Sequence, residues 1–93
     1  MAEDSLRVDV WLWRARFFKT RSLAARMVEA GRVRLSRAGV ETRLDKPARA
    51  VKPGDGLVFA LGGRLTAVRV VALGERRGPP AEARALYSPL EES

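Results

Sequence analysis

The chain contains no cysteine and no histidine. The first absence excludes disulfides, a thiolate nucleophile and a cysteine-based zinc knuckle, and nothing in the chain requires an oxidising compartment. The second removes the commonest metal ligand and the commonest general base. The longest unbroken apolar run, Leu57-Val58-Phe59-Ala60-Leu61, falls far short of the ~20 residues that a membrane span needs. The opening Met1-Ala2-Glu3-Asp4-Ser5 is acidic and lacks the charged and apolar regions of a signal peptide. A cytoplasmic domain without membrane contact is expected.

Enzyme signatures are missing as well. No Gly-Lys pair precedes Ser or Thr, as a Walker loop requires. Gly54 and Gly56 lead into a strand pattern, whereas a dinucleotide fingerprint opens a helix. The acids are scattered, and Asp9 and Asp55 read as a helix cap and a turn group rather than as an acid–base pair. A metal site built only from such carboxylates would be unusual. The expectation is a binding module with no catalytic residue, no cofactor and no metal.

What the chain has is charge in one place. Of its 93 residues, 18 are basic and 11 acidic, and 46% are apolar, enough for one compact domain. Between Arg14 and Arg37 stand eight basic residues (Arg14, Arg16, Lys19, Arg21, Arg26, Arg32, Arg34 and Arg37) and one acid, Glu29. The rest of the chain cancels to neutrality. A block so lopsided makes a local positive field and points to a polyanionic partner, although an Arg-rich soluble surface has the same composition.

The pattern begins with two short helices. Asp9 is placed to cap one from about 10 to 18, and Thr20 to cap another from about 21 to 30, which Gly31 ends. On the second helix Leu23, Ala24, Met27, Val28 and Ala30 share one side and Arg21, Ala25, Arg26, Glu29 and Arg32 the other. The first helix has apolar residues all round, so it is either sandwiched or leaves an aromatic such as Trp13 exposed to stack on a partner. Strand patterns follow: Val33-Arg34-Leu35, a short stretch at 40–44, the run 57–61 after a Lys52-Pro53-Gly54-Asp55 turn, and a return at 65–73 after Gly62-Gly63. Arg76-Arg77-Gly78-Pro79-Pro80 breaks the sheet, a short helix is expected at 81–86, and residues 89–93 are expected to fray. The domain reading is a flexible 1–5, a binding domain 6–73, and an extension 74–93 that packs on the domain or trails from it.

These elements can build a binding surface. Lys19, Thr20 and Arg21 surround the start of the second helix, where free N–H groups and the helix dipole favour a phosphate. Arg26 and Arg32 continue along its outer face, and Arg34 follows on a strand opposite Val33 and Leu35. Such groups track a phosphate backbone without choosing RNA or DNA.

Residues Arg7-Val8-Asp9, Leu12, Thr20-Arg21, Ala24, Val28, Gly31, Val33 and Leu35 resemble the alpha-L RNA-binding motif, named after small-subunit ribosomal protein S-four. The stretches Asp9-Val10-Trp11-Leu12-Trp13-Arg14-Ala15-Arg16-Phe17-Phe18-Lys19-Thr20-Arg21 and Glu75-Arg76-Arg77-Gly78-Pro79-Pro80-Ala81-Glu82-Ala83, with Ala85-Leu86-Tyr87, are similar to the two ends of the heat shock protein 15 family. The resemblance implies an α+β fold, with two packed N-terminal helices followed by a small, mainly antiparallel β-sheet. It also implies a ribosome-associated, stress-induced binder of structured RNA. Such a protein recognises ribosomal RNA of free large subunits that still carry a nascent chain on transfer RNA, and aids their recycling. Carried over by position, the RNA-facing candidates are Arg7, Lys19, Thr20, Arg21, Arg32 and Arg34; Arg14, Arg16, Arg26 and Arg37 join them on charge and geometry. Arg7 has an equal reading as an ion-pair partner of Asp9 or Asp55. The chain departs from the family at Ser36-Arg37-Ala38-Gly39, where a tight Asn-Gly turn is usual and the loop to Pro47 is longer. It also departs at Val10, where Lys is common, and in lacking a long basic tail. Two other readings remain open at this point: an accessory domain serving an RNA-modifying enzyme, and a general polyanion or DNA binder.

Overall fold

The computed structural model describes residues 4–90. Strand β1 (Leu6–Arg7) runs directly into helix α1 (Val8–Arg14), and helix α2 (Arg21–Glu29) follows after a tight loop. Strands β2 (Val33–Arg37), β3 (Val40–Leu44), β4 (Ala50–Val51), β5 (Gly56–Leu61) and β6 (Arg64–Val70) come next, then helix α3 (Pro80–Arg84) and strand β7 (Tyr87–Pro89). Five strands form an antiparallel sheet in the order β3-β2-β5-β6-β7, and β1 pairs with β4 in a separate two-stranded ladder. This is the expected α+β arrangement of two packed helices and a mainly antiparallel sheet.

Alternation along the strands sets the core. Val33 lies opposite both Leu44 and Phe59, and Leu57 opposite both Leu35 and Val68. These residues are buried on one face of the sheet, where they form a single cluster with Trp11, Leu12, Phe18 and Val28 from the helical side. The N-terminal helices therefore cover one sheet face and leave the other open.

α2 forms as its sequence dictates. The Thr20 hydroxyl accepts from the Leu23 N–H at 3.1 Å, satisfying one of the free donors of the first turn. At the other end Gly31 N–H reaches the Val28 carbonyl and Arg32 N–H the Met27 carbonyl. That double closure needs a left-handed residue, which Gly31 supplies at φ +73°. Its buried side is narrower than the pattern predicts: Ala24 and Val28 are buried, whereas Leu23 is 44% exposed and Ala30 lies at the surface. One helix of nine residues covers only a thin stripe of so small a core.

α1 departs further from expectation. It spans Val8–Arg14 rather than 10–18, and Asp9 is not its cap. The first donors are met instead by carbonyls from across the fold, Val8 N–H by Arg49 and Asp9 N–H by Pro47. The helix stops where Arg16 turns to φ +65°, a conformation that costs a non-glycine residue. The all-round apolar pattern resolves as a sandwich. α2 covers one side, and the segment after β6 covers another, where Trp11 Nε1 donates to the Ala72 carbonyl at 2.9 Å. Trp13 is half-buried, not a free stacking platform. Phe17 packs against Tyr87 and Phe59 with ring centroids 4.6 and 5.0 Å apart.

The longer 36–47 loop is a regular hairpin. Ala38 and Gly39 make a two-residue turn with φ of +52° and +80°, and β2 and β3 pair without a break from Val33↔Leu44 to Arg37↔Val40. Positive φ at both central positions matches the twist of the flanking strands. β6 ends at Val70, not at Leu73, and α3 spans Pro80–Arg84 rather than 81–86. Residues 89 and 90 are not frayed: Pro89 belongs to β7, and Leu90 N–H donates to the Ala67 carbonyl at 3.1 Å. The Leu90 side chain crosses to β5, where a Cβ on Gly56 would come within 3.1 Å of it. The expectations for residues 1–3 and 91–93 lie outside the described residues. No helix among the described residues is long and apolar enough to cross a membrane.

Candidate nucleic-acid interface

The basic residues divide by what their side chains touch. Lys19, Arg21, Arg26 and Arg32 are exposed and make no hydrogen bond or ion pair among the described residues. Lys19 and Arg21 flank the start of α2, Arg26 lies along it, and Arg32 follows Gly31 at its end. Thr20 sits among them, but its hydroxyl oxygen is occupied by the Leu23 N–H. The four cations thus form a stripe along α2, with Thr20 holding the helix end in place.

The stripe continues onto the sheet. Arg34 is exposed on β2 and donates to Glu41 Oε1 at 2.9 Å. Directly opposite it on β3 stands Arg43, exposed, with its side chain against Gly31. Like charges directly opposite one another are destabilising, so this edge keeps a positive field at some cost to the fold. An open cavity of about 640 Å³ adjoins it, walled by Arg32, Arg34 and Glu41 and floored by Val58, Ala60 and Ala67. Arg43 is a cation the sequence reading missed, although antiparallel alternation through 40–44 would have placed it opposite Arg34.

Arg7 and Arg37 are held differently, each side-on to a buried carboxylate. Arg7 Nε and Nη2 donate to Asp9 Oδ1 and Oδ2, both at 3.0 Å. Arg37 Nε and Nη2 donate to Asp55 Oδ1 and Oδ2 at 2.9 and 2.7 Å. Hydrogen bonding and charge from the paired acid raise the pKa of both guanidinium groups, which stay charged. Burial pushes Asp55 up, but the Arg37 hydrogen bond, the Lys52 N–H and both neighbouring charges outweigh it, so Asp55 ionises below its ordinary 3.8. Of the two readings of Arg7, the ion-pair partner of Asp9 is therefore observed, and its outer edge still faces solvent.

Arg14 and Arg16 belong to none of these groups. Arg14 Nη1 donates to the Gly74 carbonyl at 2.7 Å, and Arg16 Nε to the Gly78 carbonyl at 2.6 Å. Arg77 Nε returns a bond to the Trp13 carbonyl at 3.2 Å. These three side chains clip residues 74–78 to the end of α1. Their planar N–H groups suit carbonyls fixed by loop geometry.

The chain is similar to known proteins along its whole length. Residues 6–36 match the S4 domain, which spans β1, both N-terminal helices and most of β2. The heat shock protein 15 homolog of Haemophilus influenzae is 37% identical over 93 residues, all of this chain and 67% of that protein. Heat shock protein 15 of Escherichia coli K12 is 39% identical over 88 residues, 95% of this chain and 62% of that protein. The chain thus spans about two thirds of the length of these relatives. Among solved structures, heat shock protein 15 of Vibrio cholerae, described as trimeric, superposes with a TM-score of 0.82 at 35% identity. The match covers 92% of this chain and 82% of that one.

Proposed function

The chain belongs to the heat shock protein 15 family, and from that premise we propose that it docks on ribosomal RNA of the free large subunit. As an RNA-binding protein of the heat shock type it needs a surface for phosphate, and the stripe Lys19, Arg21, Arg26 and Arg32 is our candidate. The observation that carries this is their lack of any partner within the described fold. Cations at the N-terminal turn of α2 add to its free N–H groups and dipole, and Arg34 and Arg43 extend the track onto the sheet edge. The contacts are electrostatic and positioning in kind; selectivity for one RNA comes from shape. Binding there while the small subunit is away, and with a nascent chain still held on transfer RNA, would aid recycling of stalled large subunits. No bond-making step enters this role.

A sucrose-gradient assay at near-physiological salt tests the proposal with small subunits, intact ribosomes and free large subunits, the last with and without peptidyl transfer RNA. Preferential co-sedimentation with large subunits that retain peptidyl transfer RNA is expected. Equal binding to every particle would refute the large-subunit role and leave an RNA-binding domain of other specificity.

A further inference from the structure

Two buried acids grip two arginines in one geometry, and β4 brings the pairs together. Asp9 and Asp55 are each 3% exposed, whereas the side chains of Arg7 and Arg37 are 50% and 38% exposed. Arg7 lies opposite Ala50 in the β1–β4 ladder, and Arg37 Nη2 also donates to the Ala50 carbonyl at 3.3 Å. In both arginines the Nε edge is taken by the acid, and Nη1 has no partner among the described residues. A guanidinium group carries N–H donors on two edges, so Arg7 is fixed on one edge and open on the other, while Arg37, whose Nη2 meets both Asp55 and the Ala50 carbonyl, keeps Nη1 open. A fork held in this way loses little further freedom on meeting an anion.

Stability alone gives a poor account of the arrangement. Partly exposed ion pairs contribute little, and an apolar residue at position 9 or 55 would avoid burying a carboxylate. The open edge of Arg7 and the open Nη1 of Arg37, beside one short strand, offer separate donors to the anions of a nucleic-acid backbone.

We propose that Arg7 and Arg37, held by Asp9 and Asp55 beside β4, form a two-point site for phosphodiester groups of RNA, adjoining the α2 stripe, whose Arg21 lines one pocket with Asp9. Asp9 and Asp55 are positioning residues of that site. The inference rests on the RNA-binding reading above but concerns a surface to which that reading assigns no contact.

The sign of one substitution tests it. An acid near bound phosphate is repulsive, so neutralising a passive acid tightens binding; neutralising a positioning acid loosens it. Affinity of the full chain for one labelled RNA hairpin with an unpaired tail is measured at fixed salt, with circular dichroism as the folding control. Asp9→Asn keeps an oxygen for the Val10 N–H that Asp9 now accepts, and is expected to weaken binding about three- to tenfold, the scale of one weakened charge-assisted hydrogen bond to phosphate. Asp55→Asn is expected to act alike, and Arg7→Lys, which keeps the charge without the fork, is expected to weaken binding too. Asp9→Asn in an Arg7→Ala background is expected to add no further loss. Glu29→Gln on α2, where the acid holds no partner among the described residues, is expected to tighten binding. Unchanged or tighter binding by folded Asp9→Asn and Arg7→Lys overturns the site. If Lys19→Glu/Arg21→Glu abolishes binding in the same assay while these variants do not weaken it, this inference alone falls. Failure of the unaltered chain to bind overturns both readings.

Discussion

Reversing charge at the start of α2, in the double variant Lys19→Glu/Arg21→Glu, separates an electrostatic interface from a structural one. Both side chains are exposed and have no partner among the described residues, so the substitutions remove no bond seen there. Acids at a helix N-terminus complement its dipole, and Thr20 still caps the helix, so the fold is expected to persist. Two unit charges ~5 Å apart in water interact by about 0.8 kcal/mol. Reversal turns attraction into repulsion and doubles that at each site. Screening over a Debye length of about 8 Å roughly halves the sum. The result for two sites is a ten- to thirtyfold loss of RNA affinity at physiological ionic strength. With roughly five cations on phosphates, the unaltered chain should show a logarithmic salt slope of about −3.5 to −4.5, and the double variant one shallower by about 1.4–1.8. Fluorescence anisotropy across a salt series, with circular dichroism on both proteins, measures both numbers. A folded double variant with unchanged affinity and slope would refute the α2 stripe as the RNA surface.

The remaining predictions concern how the fold presents that surface. Thr20→Ala loses the bond to the Leu23 N–H and should destabilise the domain by about 1 kcal/mol in urea denaturation. Trp11→Phe leaves the Ala72 carbonyl without its donor and should cost about 1–3 kcal/mol in the same measurement. Because Asp55 ionises below its ordinary 3.8, its contribution is full above that value and is lost as pH falls through the depressed folded pKa. Melting temperature should therefore drop in that acid range, with a smaller drop in Asp55→Asn, and an equal drop would assign acid sensitivity elsewhere. Arg16→Ala removes the 2.6 Å clip to Gly78 and should speed amide exchange in residues 74–90 while RNA affinity holds; a large affinity loss would put Arg16 on the interface.

Legibility in the sequence followed the range of the interactions. α2 was readable because its start, its stop and the Thr20 cap are settled within a dozen residues. The strand alternation and the Gly62-Gly63 turn were readable for the same reason. The bounds of α1 were not, since its first donors are met by Arg49 and Pro47, some forty positions away. A local pattern sees only an acid near a helix start and reads a cap. Asp9 instead faces back along the chain to Arg7 and forward to the Val10 N–H. The extent of β7 was equally hidden, because a three-residue strand forms only where β6 already offers an edge. The two N-terminal helices and the sheet also carried enough spaced identities for the family resemblance to state the fold before any contact was visible.

The net charge of +7 pointed to the right kind of partner, but its distribution along the chain did not show which cations face outward. Of the eight basic residues between Arg14 and Arg37, Arg14 and Arg16 bind loop carbonyls, Arg34 is shared with Glu41, and Arg37 is gripped by Asp55. Lys19, Arg21, Arg26 and Arg32 have no side-chain partner among the described residues. Sequence proximity therefore mixes three uses of the same side chain, because an arginine fork suits a carbonyl, a carboxylate and a phosphate alike. The fold sorts them by direction. Side chains from the end of α1 turn toward residues 74–78, Arg7 and Arg37 meet acids beside β4, Arg34 meets Glu41 on β3, and those along α2 meet solvent. Arg43, outside the charged block, joins the surface because β3 returns it opposite Arg34. The positive field of the proposed RNA surface is thus a product of strand register and helix direction as much as of composition.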